Sequence, residues 1–369
     1  MKIKLMKHDV FVIAEAGVNH NGKLKLAKKL CKVAKESGAD AIKFQTWKTN
    51  LLLNDDVSTV GYQKNNTNEN SQFKMIKKLE LKFKEFQKIS DYCKELDILF
   101  LSTPGDIPSA DFLENLGMKI FKIGSDDLDN LPLLQHISLK QKEMIISTGM
   151  SSLKEISNTY NFLKKNNKQI TFLHCTSNYP TQIKDVNLKA MLTIKDKIKT
   201  TIGYSDHTIT TWIPLIAICL GAKVIEKHLT LNKSLSGPDH KTSLNPEEFS
   251  LMVSQIRDLE KNGILQDTKK MSLLISEIVG SNLSKQIKIA LGSKVKKPTK
   301  SEMRVMKNIK KTIVASKKIK KNDYLSEKNI QISRAGKIGL LPKEYFNLIN
   351  KKTKRDIQKQ EIISYEKVS

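Results

Sequence analysis

A regular alternation restricts the fold of this chain more than any other feature. Short runs rich in β-branched residues recur at Val10–Ala14, Ala41–Gln45, Ile98–Ser102, Ile120–Ile123, Met144–Ser147, Ile170–His174, Thr200–Gly203 and Lys223–Glu226. Between them, apolar residues at helical spacing predict helices over Leu24–Glu36, Phe83–Leu96, Ser109–Leu116, Ser152–Lys165, Val186–Lys195 and Thr211–Leu220, with another over Pro246–Lys261. Eight strand-helix units fit a closed parallel barrel or a doubly wound open sheet. The open sheet usually carries a glycine-rich first turn, and no such turn stands out here. The expected fold class is α/β, a (β/α)8 barrel.

At 369 residues the chain is too long for one ordinary domain. After Lys261 its character changes. Gly263 to Met303 is rich in Ser and Lys with weak periodicity. Short strand-like runs then follow at Thr312–Ser316, Ile319–Leu325 and Ile330–Arg334, separated by turn residues. The division predicted is a barrel over 1–285, a linker over 286–308 and a small β-rich domain over 309–369. One connection breaks the rhythm: Thr46 to Gln72 is long, polar and Asn-rich, and it follows the second strand. A loop of that length on that face suits a lid over an active site.

The formal charge, 64 basic against 38 acidic residues, is +26. Only four of the basic residues are arginines: Arg257, Arg304, Arg334 and Arg355. Readers of bases and phosphates favour the arginine fork, so the excess is read as a solvated lysine surface and no nucleic-acid partner is expected. Residues 294–369 carry 22 basic and 7 acidic residues, a net of +15. No run approaches the roughly 18–20 apolar residues of a membrane helix. Cys31, Cys93, Cys175 and Cys219 are widely spaced without a Cys-x-x-Cys pair, as expected for reduced core residues of a cytoplasmic protein.

Polar residues gather where the predicted strands end, the face on which barrels place chemistry. Glu15 ends the first strand. Lys43 and Gln45 end the second, Thr103 follows the third, and Lys122 and Ser125 close the fourth. Ser147 closes the fifth, Tyr179 follows the sixth, Ser205 and His207 follow the seventh, and His228 ends the eighth. Two lysines on β-rich strands need an anionic partner. Ammonium groups with nearby hydroxyls suit a phosphate-bearing ligand, while pairing with Glu15 or Asp127 is the structural alternative. His207 and His228 on adjacent strands suit a shared divalent metal with positions left open, or two core histidines. His20, His174 and His240 are weaker candidates. A buried Glu15 would have a raised pKa and suit proton transfer, or it serves as an acceptor for the following turn.

In order along the chain stand Ile13-Ala14-Glu15-Ala16-Gly17-Val18-Asn19-His20-Asn21-Gly22, Lys43-Phe44-Gln45, Ser102-Thr103-Pro104, Lys122-Ile123-Gly124-Ser125 and Ser147-Thr148-Gly149-Met150. They continue with His174-Cys175-Thr176, Gly203-Tyr204-Ser205-Asp206-His207-Thr208, Glu226-Lys227-His228 and Gly237-Pro238-Asp239. With these motifs the chain resembles, over nearly its whole length, the sialic acid synthase family: N-acetylneuraminate synthase and its bacterial relatives that make legionaminic and pseudaminic acids. The resemblance implies a TIM barrel followed by a C-terminal antifreeze-like SAF domain. It also implies condensation of phosphoenolpyruvate with an N-acetylated sugar aldehyde, releasing phosphate by C–O cleavage and giving a nine-carbon 2-keto acid. N-acetylmannosamine is the expected acceptor. The alternatives are 2,4-diacetamido-2,4,6-trideoxymannose, giving N,N'-diacetyllegionaminate, or a non-catalytic protein that binds an anionic polymer.

Carried over by resemblance, Lys43, Thr103, Lys122, Ser125, Ser147 and Ser205 would hold phosphoenolpyruvate. Gln45, Asp127, Tyr179, Asp239 and Arg334 would bind the sugar. Glu15, His207 and His228 would be catalytic, the two histidines holding Mn²⁺ or Mg²⁺. The family pattern further implies a homodimer in which each SAF domain caps the partner's barrel. Two positions depart from that pattern: Asp127 stands where Glu is common, and Ala335 replaces a proline after Arg334.

Overall fold

In a computed structural model, residues 8–263 and 284–369 are described. Eight parallel strands form the barrel: β1 (Phe11–Gly17), β2 (Ala41–Thr46), β3 (Leu99–Pro104), β4 (Ile120–Ile123), β5 (Glu143–Ser147), β6 (Ile170–His174), β7 (Thr201–Asp206) and β8 (Val224–His228). Hydrogen-bonded neighbours run β3-β2-β1-β8-β7-β6-β5-β4, and β3 lies beside β4 at the seam. This is the (β/α)8 barrel expected.

Side chains two apart on a strand share a face. Phe11 and Ile13 therefore point inward with Glu15, and Ala41 with Lys43. The same holds for Leu101 with Thr103, Ile120 with Lys122, Ile145 with Ser147, and Val224 with Glu226 and His228. The lower members pack together as an apolar floor inside the barrel. The upper members form a polar layer above it. Outside, helices cover the strands with apolar stripes; the helix Leu24–Glu36 buries Ala27, Leu30, Cys31 and Ala34 at helical spacing. All four cysteines are free and buried.

Strands β1, β3, β7 and β8 run two or three residues past their expected ends. Their polar C-terminal residues lowered the strand signal, but parallel neighbours continue the ladder: Gln45 pairs with Thr103, Ser205 with Glu226 and Glu15 with His228. Glu15, Thr103, Ser205 and His228 thus sit on strands rather than loops.

Residues 46–72 are folded. They contain helices Thr49–Leu52 and Gly61–Thr67, and with Gln72–Leu79 they close over the barrel mouth around Val18, Trp47, Met75 and Ile76. The segment 286–308, expected as a linker, is also built. Helices Ser284–Leu291 and Lys300–Ile309 occupy most of it, and Ile287 and Ala290 join the barrel core. The part of the Ser- and Lys-rich stretch at 264–283 lies outside the described residues. Beyond it, β9 (Thr312–Ala315) pairs antiparallel with β10 (Ile330–Ser333) over a small core of its own. The run at 319–325 forms only isolated bridges, Ile319 with Ile357 and Tyr324 with Lys352. No helix among the described residues is long and apolar enough to cross a membrane.

Candidate active site

The polar layer opens into a cavity of about 160 Å³ at the C-terminal ends of the strands. Thirteen of the fourteen residues expected from the sequence line it: Glu15, Lys43, Gln45, Thr103, Lys122, Ser125, Ser147, Tyr179, Ser205, His207, His228, Asp239 and Arg334. Asp127 does not. Its carboxylate is held at 2.8 Å by Lys311 of the small domain and at 2.6 Å by Asn130. The neighbouring Asp126 lines the cavity instead. The short 3-10 turn Ser125–Asp127 sends the two carboxylates to different partners. His174 and His240 are held elsewhere, by Val186 O and by Thr230 with Asn21, and the buried His20 faces Phe44.

Both lysines have acidic partners and face the cavity. Lys43 Nζ lies 2.8 Å from Glu15, 3.8 Å from Glu226 and 3.1 Å from Thr103 Oγ1. Lys122 Nζ donates to Ser147 Oγ at 2.7 Å and to the Ile123 carbonyl at 3.0 Å, and it lies 3.6 Å from Glu226. Asp127 is therefore not the partner of either. Glu226, not singled out in the sequence, bridges the two lysines and accepts from Ser205 Oγ at 3.0 Å.

The environments of the two carboxylates differ. Burial pushes the Glu15 carboxyl up, against the pull of Lys43. Glu226 is equally buried, but Lys122 and Lys43 together bring it below the usual carboxylate range. Burial presses Lys43 toward neutrality, and Glu15 and Glu226 more than offset this. For Lys122 burial prevails and its pKa falls. Glu226 is thus the firmly ionised member, and Glu15 the one that takes a proton more readily. Asp239 is pushed up to about 7 by burial and by Glu15.

His207 and His228 face each other with ring centroids 5.6 Å apart, and burial lowers both pKa values. The His207 Nδ1 position is taken by the Thr176 carbonyl at 2.7 Å, which leaves Nε2 for a ligand. No cluster of three or more His, Cys, Asp or Glu side chains suited to a metal occurs among the described residues. Two neutral imidazoles with one tautomer held fit part of a divalent cation's shell, the remainder falling to substrate oxygens and water. Tyr179 packs against His207 with ring centroids 4.2 Å apart, and Tyr62 of the lid packs against Tyr179 at 5.4 Å, both pairs tilted.

Arg334 reaches the mouth from the small domain. Its Nη2 meets Asp126 at 2.7 Å and its Nη1 meets Gln72 at 3.4 Å, while the buried Nε has no partner. Its backbone pairs with the lid: Arg334 N donates to Leu52 O, and Asn54 N donates to Arg334 O. Sequence reading passed over Asp126, Glu226 and Gln63, which also line the cavity. For Glu226, its place two residues before His228 on an inward-facing strand was the available signal.

The fold and this layered mouth define a barrel enzyme with a capping domain. The model of the NeuB family matches residues 30–267, and that of the SAF domain matches 310–369. The chain is 42% identical over 356 residues to the N,N'-diacetyllegionaminic acid synthase of Campylobacter jejuni, covering 95% of this chain and 98% of that protein. It is 31% identical to the human N-acetylneuraminate-9-phosphate synthase, covering 98% and 93%. The crystal structure of the spore coat polysaccharide biosynthesis protein SpsE of Bacillus subtilis superposes with a TM-score of 0.80 at 30% identity, covering 100% of this chain and 99% of that one. The chain belongs to the NeuB family, sialic acid synthase-type enzymes that condense phosphoenolpyruvate with sugars.

Proposed function

We propose that the protein is an N,N'-diacetyllegionaminate synthase, condensing phosphoenolpyruvate with 2,4-diacetamido-2,4,6-trideoxymannose. The observation that carries this choice is the end-to-end likeness to a synthase of that name, closer than the likeness to the human N-acetylneuraminate-type relative. N-acetylmannosamine, the acceptor expected from the motifs, becomes the second reading. The non-catalytic reading loses support because Lys310 and Lys311 of the basic C-terminal block point into the protein, toward Asp129, Glu155 and Asp127.

In this reading phosphoenolpyruvate lies over Lys43 and Lys122, its anionic groups taken by the two ammoniums and by the hydroxyls of Thr103, Ser125, Ser147 and Ser205. Lys43, whose ammonium form is favoured by Glu15 and Glu226, and the surrounding hydroxyls supply the donors an anion needs. The sugar lies on the outer side, against Gln45, Tyr179, Asp239 and Arg334, with Asp126 in the place expected for Asp127. A C–C bond forms between C3 of phosphoenolpyruvate and the aldehyde carbon, water adds at C2, and phosphate leaves with its bridging oxygen. Glu15 holds a proton beside the aldehyde oxygen and serves as general acid. His207 and His228 would hold Mn²⁺ or Mg²⁺, which supplies Lewis acidity toward the aldehyde oxygen.

A homodimer with exchanged SAF domains belongs to the same proposal. In the chain as described, residues 284–369 sit on their own barrel, tied to it covalently only through 264–283. Exchange would move that block as one piece. A cytoplasmic location accords with phosphoenolpyruvate as substrate. The test is phosphate release from phosphoenolpyruvate with each candidate sugar and added Mn²⁺. Faster turnover with N-acetylmannosamine would favour the second reading, and no release with any acetamido sugar would overturn both.

A further inference from the structure

The helix Lys300–Ile309 lies outside the span of both family matches. It opens with a capping box: Glu302 N donates to Thr299 Oγ1 at 3.1 Å, and Thr299 N donates to Glu302 Oε2 at 2.8 Å. Such boxes usually sit in solvent and do no more than satisfy helix N–H groups. This one does not. Glu302 is 1% exposed, and its other oxygen, Oε1, accepts from two loops of the barrel mouth. The backbone N–H of Met150 donates to it at 2.7 Å and that of Ser177 at 2.9 Å.

Those two loops carry opposite ends of the site. Met150 is three residues beyond Ser147, which holds Lys122, and next to Gly149, whose N–H holds Ser125 at 2.9 Å. Ser177 is two residues before Tyr179, whose ring packs against His207. Met150 also sits in left-handed backbone at φ +55°, a conformation a non-glycine residue keeps only when its surroundings hold it. Both N–H groups converge on one carboxylate oxygen, so a single acceptor joins the two loops.

We propose that Glu302 is a positioning residue for the condensation: its carboxylate fixes the exit loops of β5 and β6 against each other, and so sets the spacing between the phosphoenolpyruvate end and the sugar end of the site. The residue touches neither substrate. The same helix adds Ile309 to the cavity wall and ties Asn308 to the Ser58 carbonyl of the lid. The segment expected to be a passive linker is thereby part of the active site. The kinetic half of this proposal rests on the function proposed above; the structural half does not.

Two readouts on the full chain separate them. By amide hydrogen exchange, Glu302→Ala should exchange at Met150 and Ser177 at least about tenfold faster than wild type, while the barrel floor is unchanged. By phosphate release, the same variant should lose about tenfold or more in kcat, the scale of a small misplacement of reacting groups. Glu302→Gln keeps an oxygen acceptor and should stay within about threefold of wild type. Thr299→Ala weakens the same helix start without touching the loops and should stay within about twofold. Unchanged exchange at Met150 and Ser177 in Glu302→Ala, or a loss in Thr299→Ala equal to that in Glu302→Ala, would overturn the proposal. If the alanine variant does not fold, Glu302→Met, which fills the volume without an acceptor, takes its place with the same criteria. Faster exchange at both amides, with no turnover of any acetamido sugar by wild type, would sink the assigned reaction and leave the clamp standing.

Discussion

Arg334→Ala separates what the small domain contributes to binding from what it contributes to stability. The guanidinium pairs with Asp126 at 2.7 Å, and both side chains are about 15% exposed, so the pair is shielded but not sealed. Removing one partner of a fully buried pair costs about 3–5 kcal/mol, mostly from the charge left behind. Partial exposure brings the expected loss to about 2–3 kcal/mol, read as a lowered thermal midpoint. The binding effect comes from another atom of this cavity-lining residue, the buried Nε that has no partner in the chain. One hydrogen bond from a charged donor is worth about 1.5–3 kcal/mol, a rise of about ten- to 150-fold in the sugar KM. The phosphoenolpyruvate KM and kcat should move much less, because Arg334 bonds Asp126 and Gln72 and neither lysine. The double variant Arg334→Ala with Asp126→Asn distinguishes the two effects. It removes the stranded carboxylate, so it should recover most of the thermal midpoint while the sugar KM stays high. A sugar KM within twofold of wild type in Arg334→Ala would refute the reasoning.

His207→Ala and His228→Ala should abolish turnover and weaken Mn²⁺ binding measured by calorimetry; metal-dependent turnover in either variant argues against the ligand assignment. Asp239, pushed up to about 7, is protonated in the folded chain and ionised in the unfolded chain between about pH 4 and pH 7, so its contribution to stability falls as pH rises through that window. Asp239→Asn should remove about 2–3 kcal/mol of the difference between pH 5 and pH 8 in denaturant unfolding, and an unaltered pH profile would count against a buried protonated carboxyl. At Gly149 an added Cβ would lie 2.1 Å from Ser177 Oγ and 2.9 Å from Ser125 Oγ, so Gly149→Ala should raise the phosphoenolpyruvate KM at least about tenfold, with near-wild-type values disproving the close approach. Co-expressing Arg334→Ala with His207→Ala should restore activity if the SAF domains are exchanged, because one barrel then receives an intact cap; no restoration in a confirmed mixed dimer points to capping within one chain.

The barrel was legible because its two periods differ. Strands of four to seven residues alternate with helices whose apolar spacing is unmistakable, and the helix bounds at Leu24–Glu36 and Pro246–Lys261 agree with the residues predicted. The polar layer was legible for a related reason: Lys43 and Lys122 are anomalous on buried strands unless they serve a site. What escaped notice depends on long-range pairing. Asp126 and Asp127 are adjacent and chemically identical, and only the positions of Arg334 and Lys311, about 200 residues away, decide which faces the cavity. Residues 286–308 looked like a linker because their lysines mask short helices whose stability comes from docking on the barrel. The Thr299-x-x-Glu302 spacing was the one local cue, and a capping box does not reveal that its acid is also committed elsewhere.

The backbone pairing of Leu52 and Asn54 with Arg334 has a mechanical consequence. The parallel bridge Leu53–Arg334 makes the lid and the small domain a single panel over the mouth. Substrates entering and a nine-carbon product leaving must pass an edge of that panel or swing the whole of it. Any movement that withdraws the Arg334 backbone alone must first break two backbone hydrogen bonds. In the proposed reaction, a swing of the panel therefore carries the proposed sugar-side donor away with the lid, and a rate measured for mouth opening should report both.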